Sequence, residues 1–108
     1  MAEKIFKVKP EEQVEEELND IFEYILEKSE DFEIARNIAR DIRVEMNGLC
    51  LNPERGSNLR ARVRFETNLK YILKYSYTII YEIIGDVVQV KTICHTSRDF
   101  LRISERFR

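Results

Sequence analysis

Apolar residues in the first half of the chain recur at the spacing of an α-helix. Between Pro10 and Ser29 they follow one another at steps of four, three and one residues, which is typical of one helix face. These residues are Val14, Leu18, Ile21, Phe22, Ile25 and Leu26. Pro10 suits the first helical turn, and the glutamates after it complement the positive end of the helix dipole. The stretch therefore predicts a helix with a buried face and a solvated, acidic face.

A second helix is predicted directly after the first. Ser29 and Asp31 are both candidates for its N-cap, and Gly48, followed by Asn52-Pro53, marks its end. Its apolar side consists of Ala35, Ile38, Ala39, Ile42, Met46 and Leu49. Because the two alanines allow close approach, we expect the two helices to pack as an antiparallel hairpin.

The second half of the chain is rich in β-branched and aromatic residues, which favour strands. A short strand precedes the helices and three follow them: Lys4–Val8, then Lys70–Tyr75, Tyr77–Ile84 and Val87–Cys94. Gly85-Asp86 is a two-residue hairpin signal, and residues 52–68 are predicted to form an arginine-rich loop. The order β-α-α-β-β-β predicts one α+β domain over residues 1–108. It is a two-layer fold in which the N-terminal helical hairpin packs on one face of an antiparallel sheet.

The charge is distributed unevenly along the chain. The net charge is −2, but residues 1–53 carry 14 acidic and 7 basic side chains, whereas residues 54–108 carry 6 acidic and 11 basic ones. A cationic surface on the C-terminal half suits a nucleic acid or an acidic protein segment. Alternatively, acidic helices and a basic sheet neutralise each other within the fold.

The composition gives no indication of a cofactor, a metal or a membrane span. Cys50 and Cys94 are the only cysteines and have no CxxC spacing, so we expect reduced thiols and no zinc site. No apolar run approaches the roughly 20 residues of a membrane-spanning helix. The N-terminus turns acidic within a few residues and lacks the apolar region of a signal peptide, so the expected location is the cytoplasm.

Candidate chemistry concentrates in “VKTICHTSRDFLRI”, which spans residues 90–103 and contains the only histidine. His95 is either a catalytic imidazole or a strand-terminal residue that hydrogen-bonds to the backbone or to Asp99. We favour the structural alternative and expect the residues after the strand to form an exposed exit. Cys94 is expected to be a buried apolar residue rather than a nucleophile.

Two further groups of residues are candidates for binding. Arg60, Arg62 and Arg64 alternate, so that a strand there would present them as one basic row. Four tyrosines of the predicted strands either stack on bases or, as we favour, pack in the core with the hydroxyl at the rim. They are Tyr71, Tyr75, Tyr77 and Tyr81.

Three stretches resemble the RelE/ParE superfamily of type II toxin–antitoxin toxins, also described as plasmid-stabilisation toxins. “LNDIFEYI” with “EIARNIARDI” is similar to the helical hairpin of the family, and “LCLNPERG” is similar to the loop that closes it. “YTIIYEIIGDVVQVKTICHTSRD” resembles the C-terminal strands with their final His and Arg-Asp. The resemblance spans nearly the whole chain and implies a small growth-inhibiting toxin, free of cofactors, that a cognate antitoxin neutralises.

The superfamily divides by target. RelE-like toxins are ribosome-dependent mRNA endoribonucleases that promote attack by a ribose 2′-OH, which requires a base, an acid and phosphate-binding cations. The positions that match this set are Arg64, Lys70, Lys74, His95 and Arg98. No tyrosine follows Arg98, although many RelE-like members have one, and Thr78 replaces the arginine common in the Tyr-Arg-Ile strand.

ParE-like toxins bind DNA gyrase as a protein partner and do not cleave it. The sequence H-x-x-R-D after the last strand is frequent in this branch, so a ParE-like toxin is our leading hypothesis, and an endoribonuclease and a degenerate, non-toxic member are the alternatives. The candidates for binding the target or the antitoxin are Arg60, Arg62, Arg64, Tyr75, Tyr77, Arg98 and Arg102. The expected partners are an antitoxin and either gyrase or the ribosome with its mRNA.

Overall fold

The computed structural model describes residues 4–108 and contains five strands and three α-helices. In chain order they are β1 (Lys7–Pro10), α1 (Gln13–Ser29), α2 (Phe32–Asn47), β2 (Ser57–Asn58), β3 (Lys70–Lys74), β4 (Tyr77–Ile84), β5 (Val87–His95) and α3 (Thr96–Ser104). Single 3-10 turns occur at Gly48–Cys50, Pro53–Arg55, Leu59–Ala61 and Glu105–Phe107. The predicted α+β order is confirmed, with β2 and α3 as additional elements.

The strands form one sheet in the order β1-β5-β4-β3-β2. From β2 to β5 all neighbours are antiparallel, as predicted, and Gly85 adopts a φ of 59° in the expected hairpin turn. The edge strand β1 differs because it runs parallel to β5, with Lys7 opposite Val87 and Pro10 opposite Val90. The sheet is therefore mixed.

The first strand is shifted relative to the prediction. The structure places it at Lys7–Pro10 rather than Lys4–Val8, so Pro10 ends the strand instead of opening the helix. Proline is tolerated there because an edge strand has one side without ladder hydrogen bonds. The first helix begins three residues after Pro10, at Gln13.

The helical hairpin forms as predicted. The Asp31 side chain accepts a hydrogen bond from the Ile34 N–H and is the N-cap of α2, which ends at Asn47, immediately before Gly48. Glu15 of α1 and Arg43 of α2 join the helices through a bidentate ion pair, with Nη1–Oε1 and Nη2–Oε2 distances of 2.5 and 2.8 Å. Asp31, rather than Ser29, thus determines where the second helix begins.

Both faces of the sheet are covered, whereas two layers were predicted. The hairpin buries Val14, Leu18, Ile42 and Met46 against Ile79, Tyr81, Val88 and Val90. On the opposite face a second cluster contains Leu59, Leu69, Ile80, Cys94, Phe100 and Ile103. The residues after the last strand were expected to be an exposed exit, and this prediction is wrong. They form the helix α3, which buries Phe100 and Ile103, three residues apart, on one side. The predicted burial of Cys94 is confirmed.

The arginine-rich segment contains no strand at residues 60–64, so the predicted basic row is wrong. Leu59 is fully buried and begins a 3-10 turn, Leu59–Ala61. Arg60 pairs with Glu66, whereas Arg62 and Arg64 line a cleft beside α3. Earlier in the same segment, the Pro53 carbonyl accepts a hydrogen bond from the hydroxyl of the fully buried Tyr81 at 2.5 Å. A Cβ on Gly56 would lie 2.1 Å from that hydroxyl, so the loop packs on Tyr81 only because residue 56 is glycine.

Candidate functional site

A cleft opens where β5 continues beyond β1. The parallel pairing stops at Val90, which leaves the segment Lys91–His95 without a neighbouring strand on that side. Helices α1 and α3 border this segment and enclose a cleft of about 220 Å³, which we call the β5 cleft. Its polar and aromatic lining comprises Glu17, Asp20 and Tyr24 from α1, Tyr77 and His95 from the strands, and Arg98, Asp99 and Arg102 from α3.

His95 joins the last strand to α3. Its Nδ1 accepts a hydrogen bond from the Arg98 N–H at 3.1 Å, so the imidazole caps the helix and carries its proton on Nε2. The ring also packs edge-to-face on Tyr77, with a centroid separation of 5.4 Å. His95 therefore has the backbone hydrogen bond that we expected for a structural role, and its partner is Arg98 rather than Asp99.

Two arginines of α3 point toward the cleft, and both contact Asp99. Arg98 Nε lies 3.3 Å from Asp99 Oδ2, and Arg102 Nη2 lies 3.4 Å from Asp99 Oδ1. The Arg98 guanidinium also lies over the ring of Tyr24, 4.6 Å from its centroid. Asp99 and Tyr24 thus hold the two cations in place, while about half of the Arg98 side chain and 72% of that of Arg102 stay exposed. Both can contact a partner protein.

Side chains of α1 replace the missing strand along the open segment of β5. Glu17 accepts from the Ile93 N–H at 3.1 Å and from the Thr92 hydroxyl at 2.7 Å, and Gln13 donates to the Lys91 carbonyl at 2.7 Å. Burial raises the pKa of the Glu17 carboxyl, although both hydrogen bonds act in the opposite direction. The edge of the sheet is closed by a carboxylate that is itself partly desolvated.

Cys94 is not an activated nucleophile. Burial raises the pKa of its thiol to about 11, with smaller contributions from Asp99 and Glu17, so the neutral thiol predominates near pH 7. Among residues 4–108, no group of three or more His, Cys, Asp or Glu side chains is arranged to hold a metal ion. Within the same residues, no helix has the length and apolarity that a transmembrane span requires.

The structure brings together four of the predicted site residues: Tyr77, His95, Arg98 and Arg102. Lys74 and Tyr75 lie at the same end of the sheet but face another element. The Tyr75 hydroxyl donates to Asp41 of α2 at 2.5 Å, and Lys74 Nζ lies 5.1 Å from the Tyr75 ring centroid. The hydrogen bond from Tyr75 lowers the pKa of the Asp41 carboxyl.

The remaining predicted residues lie elsewhere. Lys70 is four residues from Lys74 along β3, roughly 13 Å at about 3.3 Å per residue, and its Nζ contacts Asn58 and Glu54 at 3.1 and 3.7 Å. Arg60 pairs with Glu66 at 3.2 Å. Arg62 and Arg64 line a separate cleft on the other side of α3. The candidate cations therefore occupy several surfaces.

A family model provides the decisive comparison. The model for the ParE toxin of the type II toxin–antitoxin system parDE matches residues 8–100, which is most of the chain. The chain belongs to this family. It is therefore a type II toxin, as the resemblance of its strands and helices predicted.

Solved structures agree with the ParE fold. A chain from the chromosomal ParDE toxin–antitoxin system of P. aeruginosa superposes with a TM-score of 0.71 at 14% identity, covering 87% of this chain and 99% of that one. A chain from the toxin–antitoxin complex RelBE2 of Mycobacterium tuberculosis gives a TM-score of 0.57 at 16% identity, covering 87% and 97%. No curated protein sequence matches significantly.

The contribution of α1 to the site of this ParE-family toxin was not predicted from the sequence. Tyr24 belongs to the family-like stretch “LNDIFEYI”, and nothing in the sequence distinguishes Glu17 from the other glutamates of this helix. The cation–π contact of Tyr24 and the edge contacts of Glu17 both depend on how α1 lies across β5. The tyrosine at the end of the first helix was the one signal that could have indicated this wall of the cleft.

Proposed function

We propose that this ParE-family toxin inhibits growth by binding a topoisomerase, DNA gyrase, as a protein partner, and that a cognate antitoxin neutralises it. The β5 cleft, with Arg98 and Arg102 exposed and fixed by Asp99, is the surface we assign to the target. The toxin–antitoxin composition of the two neighbouring structures supports the antitoxin partner. Because gyrase acts on DNA in the cytoplasm, the proposal implies a cytoplasmic location.

The observation that carries the proposal is that the residues predicted for an endoribonuclease site lie apart from one another in the structure. In-line cleavage of RNA requires a base, an acid and phosphate-binding cations around one phosphate. Here Lys70 contacts Glu54 and Asn58, Arg64 lies in another cleft, and the Nδ1 of His95 is occupied as a helix cap. After Arg98, the aromatic residues are Phe100, which is buried, and Phe107, which packs against the same cluster. Neither ring can transfer a proton.

An endoribonuclease remains a second candidate because of one specific arrangement. Lys74, Tyr77 and His95 are direct neighbours across β3, β4 and β5, so an amine, a phenol and an imidazole occupy one end of the sheet. Burial raises the pKa of Tyr77, which makes its phenol a weaker acid, so it stays neutral and remains a hydrogen-bond donor. A small RNA-cleaving site at this end would use these residues together with Arg98.

The test is to purify the toxin and measure DNA supercoiling by gyrase and cleavage of ribosome-bound mRNA side by side. We expect the wild type to inhibit supercoiling and to leave the message intact. Arg98→Glu and Arg102→Glu should each raise the half-inhibitory concentration at least about tenfold, because a charge reversal replaces attraction by repulsion at a contact. Lys9→Glu makes the same charge change on β1 at a residue that does not line the β5 cleft, and it should behave as the wild type.

Three outcomes separate the candidates. Message cleavage that is lost in Lys74→Ala or His95→Asn would establish the endoribonuclease and contradict gyrase binding. Inhibition of gyrase that is equal in all charge variants would place the target contact outside the β5 cleft. A folded product that affects neither reaction and does not slow growth would identify a degenerate member of the family.

A further inference from the structure

A second cleft lies on the other side of α3. The loop residues Arg62, Val63, Arg64 and Phe65 form one wall, and Leu101, Ser104, Glu105 and Arg108 form the other. The cleft measures about 510 Å³, more than twice the volume of the β5 cleft, and we call it the arginine cleft. Because residues 98, 99 and 102 of α3 line the β5 cleft and residues 101 and 104 line the arginine cleft, the helix separates two surfaces.

Arg62 fixes the loop wall of the arginine cleft. Its guanidinium carbon lies 4.4 Å from the Phe100 ring centroid and 5.3 Å from that of Tyr71, so it stacks between α3 and β3. Phe100 is buried, and its edge-to-face contact with Tyr71 continues the stack. The loop is thereby attached to the second hydrophobic cluster, and Arg64, two residues later, lines the same cleft.

The charge of the arginine cleft is poorly balanced. Three guanidinium groups line it against the single carboxylate of Glu105, which Arg108 already contacts at 3.5 Å. Arg64 has no hydrogen bond or ion pair within the described part of the chain, residues 4–108. The cleft can therefore accept added negative charge, and carboxylates match the planar donors of arginine.

The same cleft also presents apolar surface. Leu101 is 77% exposed and lies opposite the half-buried Val63 and Phe65, so an aliphatic side chain inserted between them would bury all three. A nucleic acid strand would use the cations but not this apolar wall. The combination of cations and an aliphatic slot is that of a site for an acidic peptide with one large apolar side chain.

We infer that the arginine cleft binds an acidic, apolar-anchored segment of the cognate antitoxin; this rests on the proposed function. A protein that neutralises a toxin already bound to its target needs a contact outside the target surface. The arginine cleft provides one because α3 separates it from Arg98 and Arg102. The antitoxin can thus bind the complex of toxin and target before the target dissociates.

The chemistry is tested with the full toxin and a fluorescein-labelled peptide, EDELDE, by fluorescence anisotropy. We expect binding that weakens with added salt, and at least about tenfold weaker binding by Arg64→Glu and by Leu101→Ser. The peptide EDESDE, which lacks the apolar anchor, should bind about tenfold more weakly to the wild type. Arg106→Glu is the matched control. Arg106 lies in the turn Glu105–Phe107, and its charge acts to lower the pKa of Glu17, which lines the β5 cleft. The variant should bind the peptide within about twofold of wild type.

The source of the segment is tested by coexpression with the protein encoded in the adjacent reading frame. Arg64→Glu should remain toxic by itself but require at least about tenfold more of that protein for growth rescue. Equal peptide binding by wild type and Arg64→Glu, or stronger competition by a single-stranded DNA 12-mer than by EDELDE, overturns the inference. Loss of toxicity in a folded Arg64→Glu protein also overturns it, because the cleft then serves the target. Failure of the gyrase assay alone contradicts the proposed function and not the cleft chemistry.

Discussion

At the scale of the residue, Gly56 and Tyr81 determine how the arginine-rich segment leaves the sheet. Burial raises the pKa of Tyr81 to about 12, and its hydroxyl nevertheless has a partner because the turn Pro53–Arg55 brings a carbonyl to it. A neutral phenol that donates to a backbone carbonyl is the state that burial favours. Gly56 allows the close approach because the hydroxyl occupies the space that a side chain at residue 56 would fill.

Gly56→Ala is therefore expected to destabilise the fold by about 2–4 kcal/mol, since the new Cβ displaces a buried hydroxyl and breaks its hydrogen bond. Gly85→Ala is the matched control, because a Cβ there meets no atom within 4 Å and only the positive φ of 59° opposes it. That variant should lose about 1 kcal/mol. Urea unfolding followed by circular dichroism measures both changes, and equal losses would contradict the role of the Tyr81 contact.

At the scale of the element, α3 shows where the pattern of the sequence was insufficient. The helix has nine residues, starts directly from a strand and has histidine as its cap, so neither length nor a usual N-cap residue indicated it. Its burial depends on Leu59 and Leu69, which lie 41 and 31 residues before Phe100 in the chain. The long helices and the hairpin at Gly85 could be predicted because their signals are local, whereas α3 is stabilised by distant contacts.

The cap of α3 gives a prediction for this element. His95→Ala removes the acceptor for the Arg98 N–H and should destabilise the protein by about 1 kcal/mol, with most of the loss in α3. His95→Asn supplies an oxygen acceptor and should recover most of that stability. Hydrogen exchange of the amides in residues 96–104 measures the effect. Equal protection in wild type and His95→Ala would show that the cap contributes little.

At the scale of the whole molecule, Glu17 links the hairpin to the open edge of the sheet. Because burial raises the pKa of Glu17 above its ordinary value of 4.5, the folded protein binds this proton more tightly than the unfolded chain does. Its contribution to the free energy of unfolding is therefore fully present below pH 4.5. It is lost as the pH rises through the raised pKa.

Glu17→Gln removes this titration. We expect the unfolding free energy of the variant minus that of the wild type to rise from pH 4 to pH 7 in urea titrations. Glu15→Gln is the matched control on the same helix: the hydrogen bond from Arg43 lowers the pKa of Glu15, so its difference should fall over the same range. Parallel slopes for the two variants would contradict the assignment of Glu17 as the edge-closing carboxylate.

The site was partly predictable for the same reason as the fold. His95, Arg98 and Arg102 lie within eight residues, so any compact conformation after β5 brings them together. Tyr77 joins them because it pairs with His95 in the hairpin of β4 and β5. Tyr24 and Glu17 join only through the packing of α1 across β5, which no local pattern specifies. The proposed basic row assumed a strand where the buried Leu59 instead begins a tight turn.

The parallel pairing of β1 with β5 has a consequence for the time at which the toxin becomes active. Lys7 and Val87 are direct neighbours in the sheet although 80 positions separate them in the chain. Closing such a loop costs entropy before any contact is gained, so pairing of this kind forms late in folding. The strand order also means that a chain emerging from the ribosome has nothing for β1 to pair with until β5 has been synthesised. The cell therefore has the time that translation needs to pass from β1 to β5 in which to supply the antitoxin before a finished toxin exists.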